Sequence, residues 1–522
     1  MQKRVVILGS GAAGCAAAVA AASKGASVTL LERANDLGGT TAWGGGGIWI
    51  PANPYAAAEG SPDTFEAALL YLRSVGLGDS DRELAERYVH EGVRILADVE
   101  RHTPLRWNTI RGFPDYHAEL PGGRVQGGRS LEIDSVPVGR DMLGRMRPNP
   151  YRSLAANRRE IEAGIDAAEI SRRERDGIVA KGVGVCAAMC MTAERLGATL
   201  RTGRRATRLV PRDGAIIGVE ADGEVFEGQV IVATGGFERD AALVRAFLRG
   251  PMTAPGSPPT NRGDGLRMGM AVGAALGNMS EAWWAPAYSA PGELVDGEPF
   301  FRMLFGDRAQ PGGIIVDSRG RRYANEATNY NDFGRAMHDF DPSAFTFPRV
   351  PSWFIFDASR RARFTDGPLA AGNREPDWLR RAARLEDLAK QIGVPADTLR
   401  ETIERYNSHA DRGVDMDFGR GSSAWDAYSA GFVSPRDQLR PLTEPPYYAI
   451  QVQVGCLGTK GGLKIDGYGR VQRADRSGPI PGLFAAGNAA ANPFGMAYPS
   501  GGATVGPAIV FGWLAGETAA ML

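Results

Sequence analysis

The chain has 522 residues, no formal net charge, 43% hydrophobic residues and 23% charged residues. This length predicts two or three structural units, and the composition is that of a soluble globular enzyme, with no basic stretch of the kind that binds nucleic acid. Its four cysteines are too few for a disulfide framework, and neither they nor the five histidines show the spacing of a metal site, so we predict no metal.

The N-terminus has the pattern of a dinucleotide-binding unit. Residues 3–8 predict a strand buried on both faces, Gly9-Ser-Gly11-Ala-Ala-Gly14 opens a helix to about residue 24, and a second strand over 27–31 ends at Glu32. Gly9 permits the tight turn, Gly11 lets the backbone approach a pyrophosphate, and Gly14 lets the helix pack on the strand. Glu32 is placed to accept hydrogen bonds from ribose hydroxyls.

Neither end of the chain predicts a membrane segment. The apolar run at the N-terminus is interrupted by glycines and continues into the second strand, which argues against a secretory signal. The C-terminal apolar stretch, 503–522, contains Thr504, Pro507 and Glu517 and predicts a buried helix. We therefore expect a cytoplasmic protein, with contact to a membrane surface as a further option for reaching apolar substrates.

Three later segments are also rich in small residues that suit close approach to a flat ring system: 37–47, 230–236 and 482–488. Together with the N-terminal unit they resemble the FAD-dependent fumarate reductase and ketosteroid dehydrogenase superfamily over most of the chain. The resemblance implies an α/β fold in which a Rossmann-like FAD-binding domain carries an inserted α+β catalytic domain. It places the first part of the FAD-binding domain at 1–284, with a helical excursion at about 60–180, the catalytic domain at 285–444 and the last part of the FAD-binding domain at 445–522.

The resemblance also implies which residues contact the cofactor. The segment Gly38–Gly47 contains no histidine, where relatives with covalent flavin carry theirs, so we expect non-covalent FAD. The predicted cofactor-binding residues are Gly9, Gly11, Ala12, Ala13, Gly14, Glu32, Arg33, Gly39, Thr40, Thr41, Gly46, Ala206, Thr234, Gly235, Asp264, Gly487, Asn488, Ala503, Thr504 and Val505.

The substrate is predicted to be a neutral carbonyl compound. Superfamily members that act on fumarate or succinate carry histidine and arginine in two segments that here read Gly455–Leu463 and Ala497–Gly502, and neither residue type is present in them. Four separated segments instead resemble the 3-ketosteroid dehydrogenases: Pro114-Asp-Tyr116, Gly312–Glu326 followed by Tyr330, Gly458–Leu463 and Tyr498–Pro507.

That resemblance implies catalytic roles. Tyr330 is the base that removes a proton next to the carbonyl, Tyr116 assists it, and the flavin takes a hydride from the adjacent carbon. Tyr498 and the backbone N–H of Gly502, at the predicted start of the last helix, are the candidates that hold the carbonyl oxygen. An unperturbed phenol has a pKa of about 10, so Tyr330 needs assistance. Each tyrosine can instead be an ordinary core or rim residue, an alternative that is weakest for Tyr498 because it lies in the flavin-contacting segment.

Ser500 departs from the Δ1 pattern, which usually has glycine there. It resembles the Δ4-(5α)-dehydrogenases, in which a hydroxyl at this place assists the tyrosine base.

We predict desaturation of a cyclic ketone, foremost 3-ketosteroid Δ1-dehydrogenation, with Δ4-(5α)-dehydrogenation or dehydrogenation of a smaller cyclic ketone as the first rivals. Flavin-dependent alkene reduction and an electron-transfer or dioxygen-using flavoprotein are the rivals that differ in chemistry. The electron acceptor is left open. Five aromatic residues can narrow the pocket or simply pack the domain: Trp283, Trp284, Phe300, Phe301 and Phe305.

Overall fold

The computed structural model describes residues 2–151, 155–365, 367–431 and 434–522. Its first large sheet has six strands, parallel except at one edge. Arg4–Leu8 lies in the interior of this sheet, and its side chains from Val5 onward are buried, as the continuous apolar run predicts. In spatial order the strands are Arg470–Gln472, Pro479–Ala485, Gln229–Val232, Arg4–Leu8, Ser27–Leu31 and Thr199–Arg201.

The two ends of the chain meet on this sheet. Helix Ala12–Ser23 packs along helix Val505–Met521. The helices approach closely because the contact uses small residues: a Cβ on Gly512 would lie 2.4 Å from the carbonyl oxygen of Ala13. The first and last parts of the chain therefore form one unit, as the predicted Rossmann-like arrangement requires.

The second large sheet is mixed and has seven strands. Five of its strands lie side by side in the order Glu298–Met303, Ala282–Val295, Tyr447–Thr459, Ser352–Phe356 and Gly313–Val316. The two short strands Ala254–Pro255 and Arg380–Ala382 also pair with Tyr447–Thr459. Helices Leu385–Ile392 and Ala396–Arg412 cover it with a separate apolar core. The predicted boundaries at 284 and 444 stay a prediction; the sheet itself takes in the strand Tyr447–Thr459.

The segment at 60–180 contains more than helices. Its long helices are Phe65–Gly76 and Arg82–His102, and its strands Trp107–Arg111 and Gly127–Ile133 form an antiparallel sheet with Ile48–Trp49. Its shorter elements are Gly139–Gly144, Arg158–Glu162, Ala167–Asp176 and the paired strands Val136–Pro137 and Ile178–Val179.

The remaining elements connect these parts. A three-stranded antiparallel sheet comprises Ala206–Arg212, Ala215–Ala221 and Glu224–Glu227, and Leu276–Gly277 pairs with Gly462–Leu463. Over the ranges given above, no helix has the length and apolar character needed to cross a bilayer. The other helices are Gly39–Trp43, Pro54–Ala58, Lys181–Arg195, Ala241–Phe247, Asp264–Ala271, Tyr330–Ala336, Ala358–Arg361, Gly367–Leu369, Ala424–Ser429, Pro435–Gln438 and Gly487–Ala489.

Candidate active site

The glycine turn after the first strand is fixed by close contacts. Gly9 has a φ of +101°, and a Cβ there would lie 2.5 Å from the carbonyl oxygen of Ala233. A Cβ on Gly14 would lie 1.9 Å from the carbonyl oxygen of Gly9. Gly11, by contrast, faces open space, with only the hydroxyl of Thr41 near its Cβ position, at 3.7 Å. Only glycine fits at positions 9 and 14, and Gly11 leaves room for a ligand.

A cavity of about 1400 Å³ begins at this turn and extends to the second large sheet. Ligand pockets commonly measure about 300–1,000 Å³, so this volume suits a dinucleotide together with a substrate. All the predicted cofactor residues line it except Gly14 and Ala503, which lie behind the lining. Thr234 lines it with a buried hydroxyl that has no hydrogen-bond partner in the described parts of the chain, as expected where a ligand supplies that partner.

Glu32 lines the cavity at the end of the second strand. Its Oε2 accepts hydrogen bonds from the backbone N–H of Ser10, at 2.9 Å, and from the Ser10 hydroxyl, at 2.7 Å, and its Oε1 accepts from Ala34 N–H at 2.9 Å. The carboxylate is thus held rigidly beside the glycine turn. Ser10 was not predicted, and its position between two glycines was the only signal in the sequence.

The segment 37–47, which we call the glycine–threonine loop, closes over the start of the first helix. Thr41 Oγ1 accepts a hydrogen bond from Ala12 N–H at 3.1 Å, and Thr40 Oγ1 accepts from Asn261 Nδ2 at 2.9 Å. On the opposite wall Asp264 binds both Arg33 and Arg205 at 2.8 Å. Backbone donors, a fixed carboxylate and small residues together fit a dinucleotide whose ring system lies along this loop.

Beyond the glycine–threonine loop the cavity enters a chamber lined by three tyrosines, Tyr116, Tyr330 and Tyr498. Their ring centroids lie 5.3–5.8 Å apart in edge-to-face contacts. The hydroxyl of Tyr330 donates to that of Tyr498 at 3.1 Å, and the Thr504 hydroxyl donates to the same oxygen at 3.1 Å. The structure therefore brings together three side chains that span more than 380 positions in the sequence.

Burial raises the pKa of all three phenols above the usual value for tyrosine. The effect on Tyr498 is reduced because hydrogen bonds from Thr504 and Tyr330 lower its pKa. Tyr330 contacts both of the other phenols, and both raise its pKa further. At neutral pH the chamber consequently presents protonated O–H groups, and a base in it depends on the substrate and on its neighbours.

Tyr116 is held by a buried ion network. The preceding residue, Asp115, binds the guanidinium of Arg129 at 2.7 Å and accepts from Trp49 Nε1 at 2.8 Å. Arg129 also binds Asp63 at 2.8 Å. The backbone N–H of Tyr116 donates to the carbonyl of Pro499 at 3.0 Å, which ties this turn directly to the residue after Tyr498.

Tyr330 is the first residue of helix Tyr330–Ala336, which Asn329 caps by accepting from Asp332 N–H at 3.0 Å. Asp332 Oδ2 lies 2.7 Å from His117 Nε2, so this helix is linked to the residue after Tyr116. The three tyrosine-bearing segments are thus cross-linked at Pro499 and at Asp332. His117 and Asp332 were not predicted, because their proximity depends on tertiary structure.

Gly502 lies in the turn before the last helix, which begins at Val505 and not at Gly502 itself. Its φ is +98°, and a Cβ there would lie 2.4 Å from the backbone of Ile48. Its N–H has no partner within the described ranges, and the residue lines the cavity. The turn thereby presents a free backbone donor near Tyr498.

Ser500 does not line the cavity and is fully buried. Its hydroxyl donates to the carbonyl of Pro114 at 3.2 Å and lies 3.3 Å from the hydroxyl of Ser130. Among the described residues it makes no hydrogen bond to a tyrosine. The expected assistance to a tyrosine base is therefore not supported, because the side chain points to the backbone of the Tyr116 turn.

The chamber walls are aromatic. Phe305 packs on Tyr330 at 4.8 Å and Trp425 on Tyr116 at 4.4 Å, and both line the cavity. Of the other aromatics considered from the sequence, Trp283 and Trp284 are fully buried, and none lines the cavity. Trp425 was missed because helix Ala424–Ser429 reaches the chamber from a distant part of the chain.

The one cluster of potential metal ligands found in the described ranges is His409, Asp415 and Asp417. Arg322 binds Asp415 at 2.9 Å, and Arg405 binds Asp417. Because arginines already neutralise both carboxylates, this cluster is a structural ion-pair network.

Comparison with known proteins agrees with this geometry. Residues 4–505 match the model of the FAD binding domain family. The chain belongs to this family. It is 40% identical to 4-oxocyclohexanecarboxylate 2-dehydrogenase of Sinomonas cyclohexanicum, over 99% of this chain and 92% of that protein. It is 35% identical to 3-oxosteroid 1-dehydrogenase of Mycobacterium tuberculosis strain H37Rv, over 98% of this chain and 97% of that protein.

The fold has the same relatives. The structure of 3-ketosteroid Δ1-dehydrogenase from Sterolibacterium denitrificans, solved with 1,4-androstadiene-3,17-dione, superposes with a TM-score of 0.90 at 30% identity, covering 99% of both chains. A 3-ketosteroid Δ4-(5α)-dehydrogenase from Rhodococcus jostii shares the fold at a TM-score of 0.65 and 22% identity. The predicted membership of the FAD-dependent ketosteroid dehydrogenase family is confirmed, and the protein is an FAD-dependent oxidoreductase.

Proposed function

We propose that this flavoenzyme desaturates a cyclic ketone, removing a proton from the carbon next to the carbonyl and a hydride from the adjacent carbon. The observation that supports this most is the tyrosine chamber opening directly onto the cofactor cavity, with the hydroxyls of Tyr330 and Tyr498 3.1 Å apart. A redox protein that only passes electrons has no use for such a chamber.

Tyr498 and Gly502 hold the carbonyl oxygen. The phenol is protonated, and the N–H of Gly502 in the nearby turn has no partner among the described residues, so we assign both donors to the one substrate oxygen. As the proton leaves the neighbouring carbon, negative charge develops on that oxygen and both hydrogen bonds strengthen. One such donor commonly contributes about 3–4 kcal/mol to the transition state.

Tyr330 takes the proton. Burial and its two neighbouring phenols raise its pKa, so its phenolate, once formed, is a strong base toward the C–H that the polarised ketone makes acidic. To form that phenolate, Tyr330 gives up its own phenolic proton to solvent through the hydroxyl of Tyr116, with which it interacts, and the phenolate then takes the proton from the carbon. Thr504 keeps the Tyr498 hydroxyl oriented during this transfer.

FAD, when bound, supplies the hydride acceptor. The glycine turn and Glu32 would hold its dinucleotide part, and the short helix Gly39–Trp43 would lie against its ring. We propose non-covalent attachment, since the cavity lining, as far as the chain is described, contains neither histidine nor cysteine.

The first candidate substrate is a 3-ketosteroid desaturated at Δ1. The aromatic walls of the chamber and the agreement over the full length with a steroid dehydrogenase support it. The geometry of Ser500 removes the main argument for the Δ4-(5α) position.

The second candidate is a single-ring ketone that bears a carboxylate, such as 4-oxocyclohexanecarboxylate. Two observations favour it: the 40% identity to an enzyme named for that compound, and the arginines Arg302, Arg360 and Arg363 on the cavity wall. Glu293 binds Arg302 and Asp307 binds Arg360, so the wall is only partly neutralised.

Anaerobic flavin bleaching with product identification tests these proposals. The panel contains a 4-ene-3-ketosteroid, a saturated 5α-3-ketosteroid, 4-oxocyclohexanecarboxylate and succinate. A 1,4-diene product from the 4-ene-3-ketosteroid supports the first candidate, and a 2-ene product from the carboxylate alone supports the second. A 4-ene product from the 5α-steroid alone would favour the Δ4-(5α) position. Bleaching by succinate alone, or by no compound, would contradict desaturation of a cyclic ketone.

A further inference from the structure

Lys460 is a buried ammonium beside the tyrosine chamber. The residue is fully buried, and its Nζ donates to the backbone carbonyls of Met496 at 2.7 Å and Ala497 at 2.9 Å. The same Nζ lies 4.4 Å from the centroid of the Trp283 ring. No carboxylate of the described chain lies within ion-pair distance of it.

Such an arrangement needs an explanation, because burying an ammonium without an ion-pair partner costs several kcal/mol. Here two carbonyl dipoles and an indole face compensate for the lost water. Burial lowers the pKa of Lys460 to about 7, which agrees with this incomplete compensation. A neutral residue would fill the space at lower cost, so stability alone does not account for a lysine at this position.

All three partners of the ammonium lead to Tyr498. Ala497 is its neighbour in the sequence, and the Trp283 ring packs on the Tyr498 ring with centroids 4.6 Å apart. Trp283 Nε1 also donates to Asn488 Oδ1 at 3.2 Å, and Asn488 lines the cofactor cavity.

We propose that Lys460 is the positioning residue of Tyr498: it fixes the backbone before this tyrosine and the indole against which its ring packs. Lys460 does not line the cavity and acts on the substrate oxygen only through Tyr498. This proposal rests on the proposed function, in which Tyr498 holds that oxygen.

A double-mutant cycle tests it. Lys460→Met keeps the side-chain length and removes the charge and its donors. We expect kcat to fall about a hundredfold, as when a catalytic group is displaced, with flavin content and KM close to wild type. In the Tyr498→Phe background the same change should alter kcat by no more than about twofold, because the hydroxyl that Lys460 positions is already gone. Lys464→Met, an exposed lysine of the same segment, is the matched control and should match wild type.

Equal losses from Lys460→Met in both backgrounds would overturn the proposal, since the residue would then act independently of Tyr498. If Lys460→Met does not fold with flavin, Trp283→Phe serves in its place, because a phenyl ring keeps an aromatic face against Tyr498 and binds an ammonium more weakly. Its loss should likewise disappear in the Tyr498→Phe background, and an undiminished loss there would overturn the proposal. Failure of the proposed function is a separate result: Tyr498→Phe alone would then turn over cyclic ketones as fast as wild type.

Discussion

The cofactor side of the cavity is built mainly from backbone, whereas the substrate side is built from side chains. Around the glycine turn, Gly9 and Gly14 leave no space for a Cβ, and the open space at Gly11 lets a ligand approach the main chain. In the chamber, Tyr116, Tyr330 and Tyr498 come from three distant segments and meet through their rings and hydroxyls. Substitutions on the cofactor side should therefore weaken flavin binding, and substitutions on the substrate side should slow turnover with flavin still bound.

The largest expected effect is that of Tyr330→Phe. Removal of a general base commonly costs about a hundredfold to ten-thousandfold in rate, and the ring packing that fills the chamber is kept. Rapid mixing with a cyclic ketone under anaerobic conditions measures the rate of flavin bleaching. The matched control is Tyr323→Phe, since the hydroxyl of this half-buried tyrosine bonds to Ser352 outside the cavity and its loss should leave the bleaching rate unchanged. Similar rates in the two variants would remove Tyr330 from the mechanism.

On the other side of the comparison, Gly9→Ala should abolish flavin retention. The added Cβ would meet the carbonyl of Ala233 at 2.5 Å, and a positive φ at a non-glycine residue costs a further 1–3 kcal/mol or so. Flavin absorbance per protein after gel filtration measures the loss. Gly25→Ala carries the same backbone strain, with a φ of +82°, but its Cβ meets no atom within 4 Å, so it should retain flavin. Equal loss in both variants would show that strain alone is responsible.

A smaller effect is expected at the His117–Asp332 pair, which links two of the tyrosine segments. Burial acts to raise the pKa of Asp332, but the pairing with His117 outweighs burial and lowers this pKa to about 2. Burial likewise acts to lower the pKa of His117, but the pairing with Asp332 raises it. The contribution of Asp332 to stability is present above about pH 4 and is lost as the pH falls toward 2. The contribution of His117 is present below about pH 6.5 and is lost as the pH rises through its folded-state pKa.

Asp332→Asn should therefore lower Tm by a few degrees at about pH 5–6 and by much less at about pH 9. Thermal unfolding of both proteins across this range measures the difference, with Asp341→Asn, a partly exposed partner of Arg319, as the control. A difference that grows with pH would contradict the assignment of charges in this pair.

The smallest effect is expected for Ser500→Ala. Its hydroxyl bonds only to the Pro114 carbonyl and the Ser130 hydroxyl, so its loss should cost about 1 kcal/mol of stability and leave both the rate and the position of the new double bond unchanged. Product analysis by mass spectrometry and NMR measures the position. A change in the position of the new double bond would show that Ser500 takes part in catalysis.

The sequence predicts these two sides unequally. The glycine turn could be predicted because Gly9, Gly11 and Gly14 report backbone constraints that are local in the chain. Tyr330 and Tyr498 were named only through resemblance, since nothing local shows that two phenols 168 positions apart share a hydrogen bond. Trp425, His117 and Lys460 could not be predicted, because each reaches the site through packing between separate elements. Ser500 shows the opposite problem: a motif suggests a role, and the direction of its hydroxyl does not support it.

The most direct test of this division of labour is Tyr498→Phe measured twice on one preparation, once for flavin content and once for the rate of anaerobic bleaching by a cyclic ketone that wild type oxidises. The account predicts full flavin content and bleaching slower by about a hundredfold or more, the loss produced when one donor to a developing oxyanion is removed. A variant that bleaches at the wild-type rate, or that loses its flavin, would contradict the account.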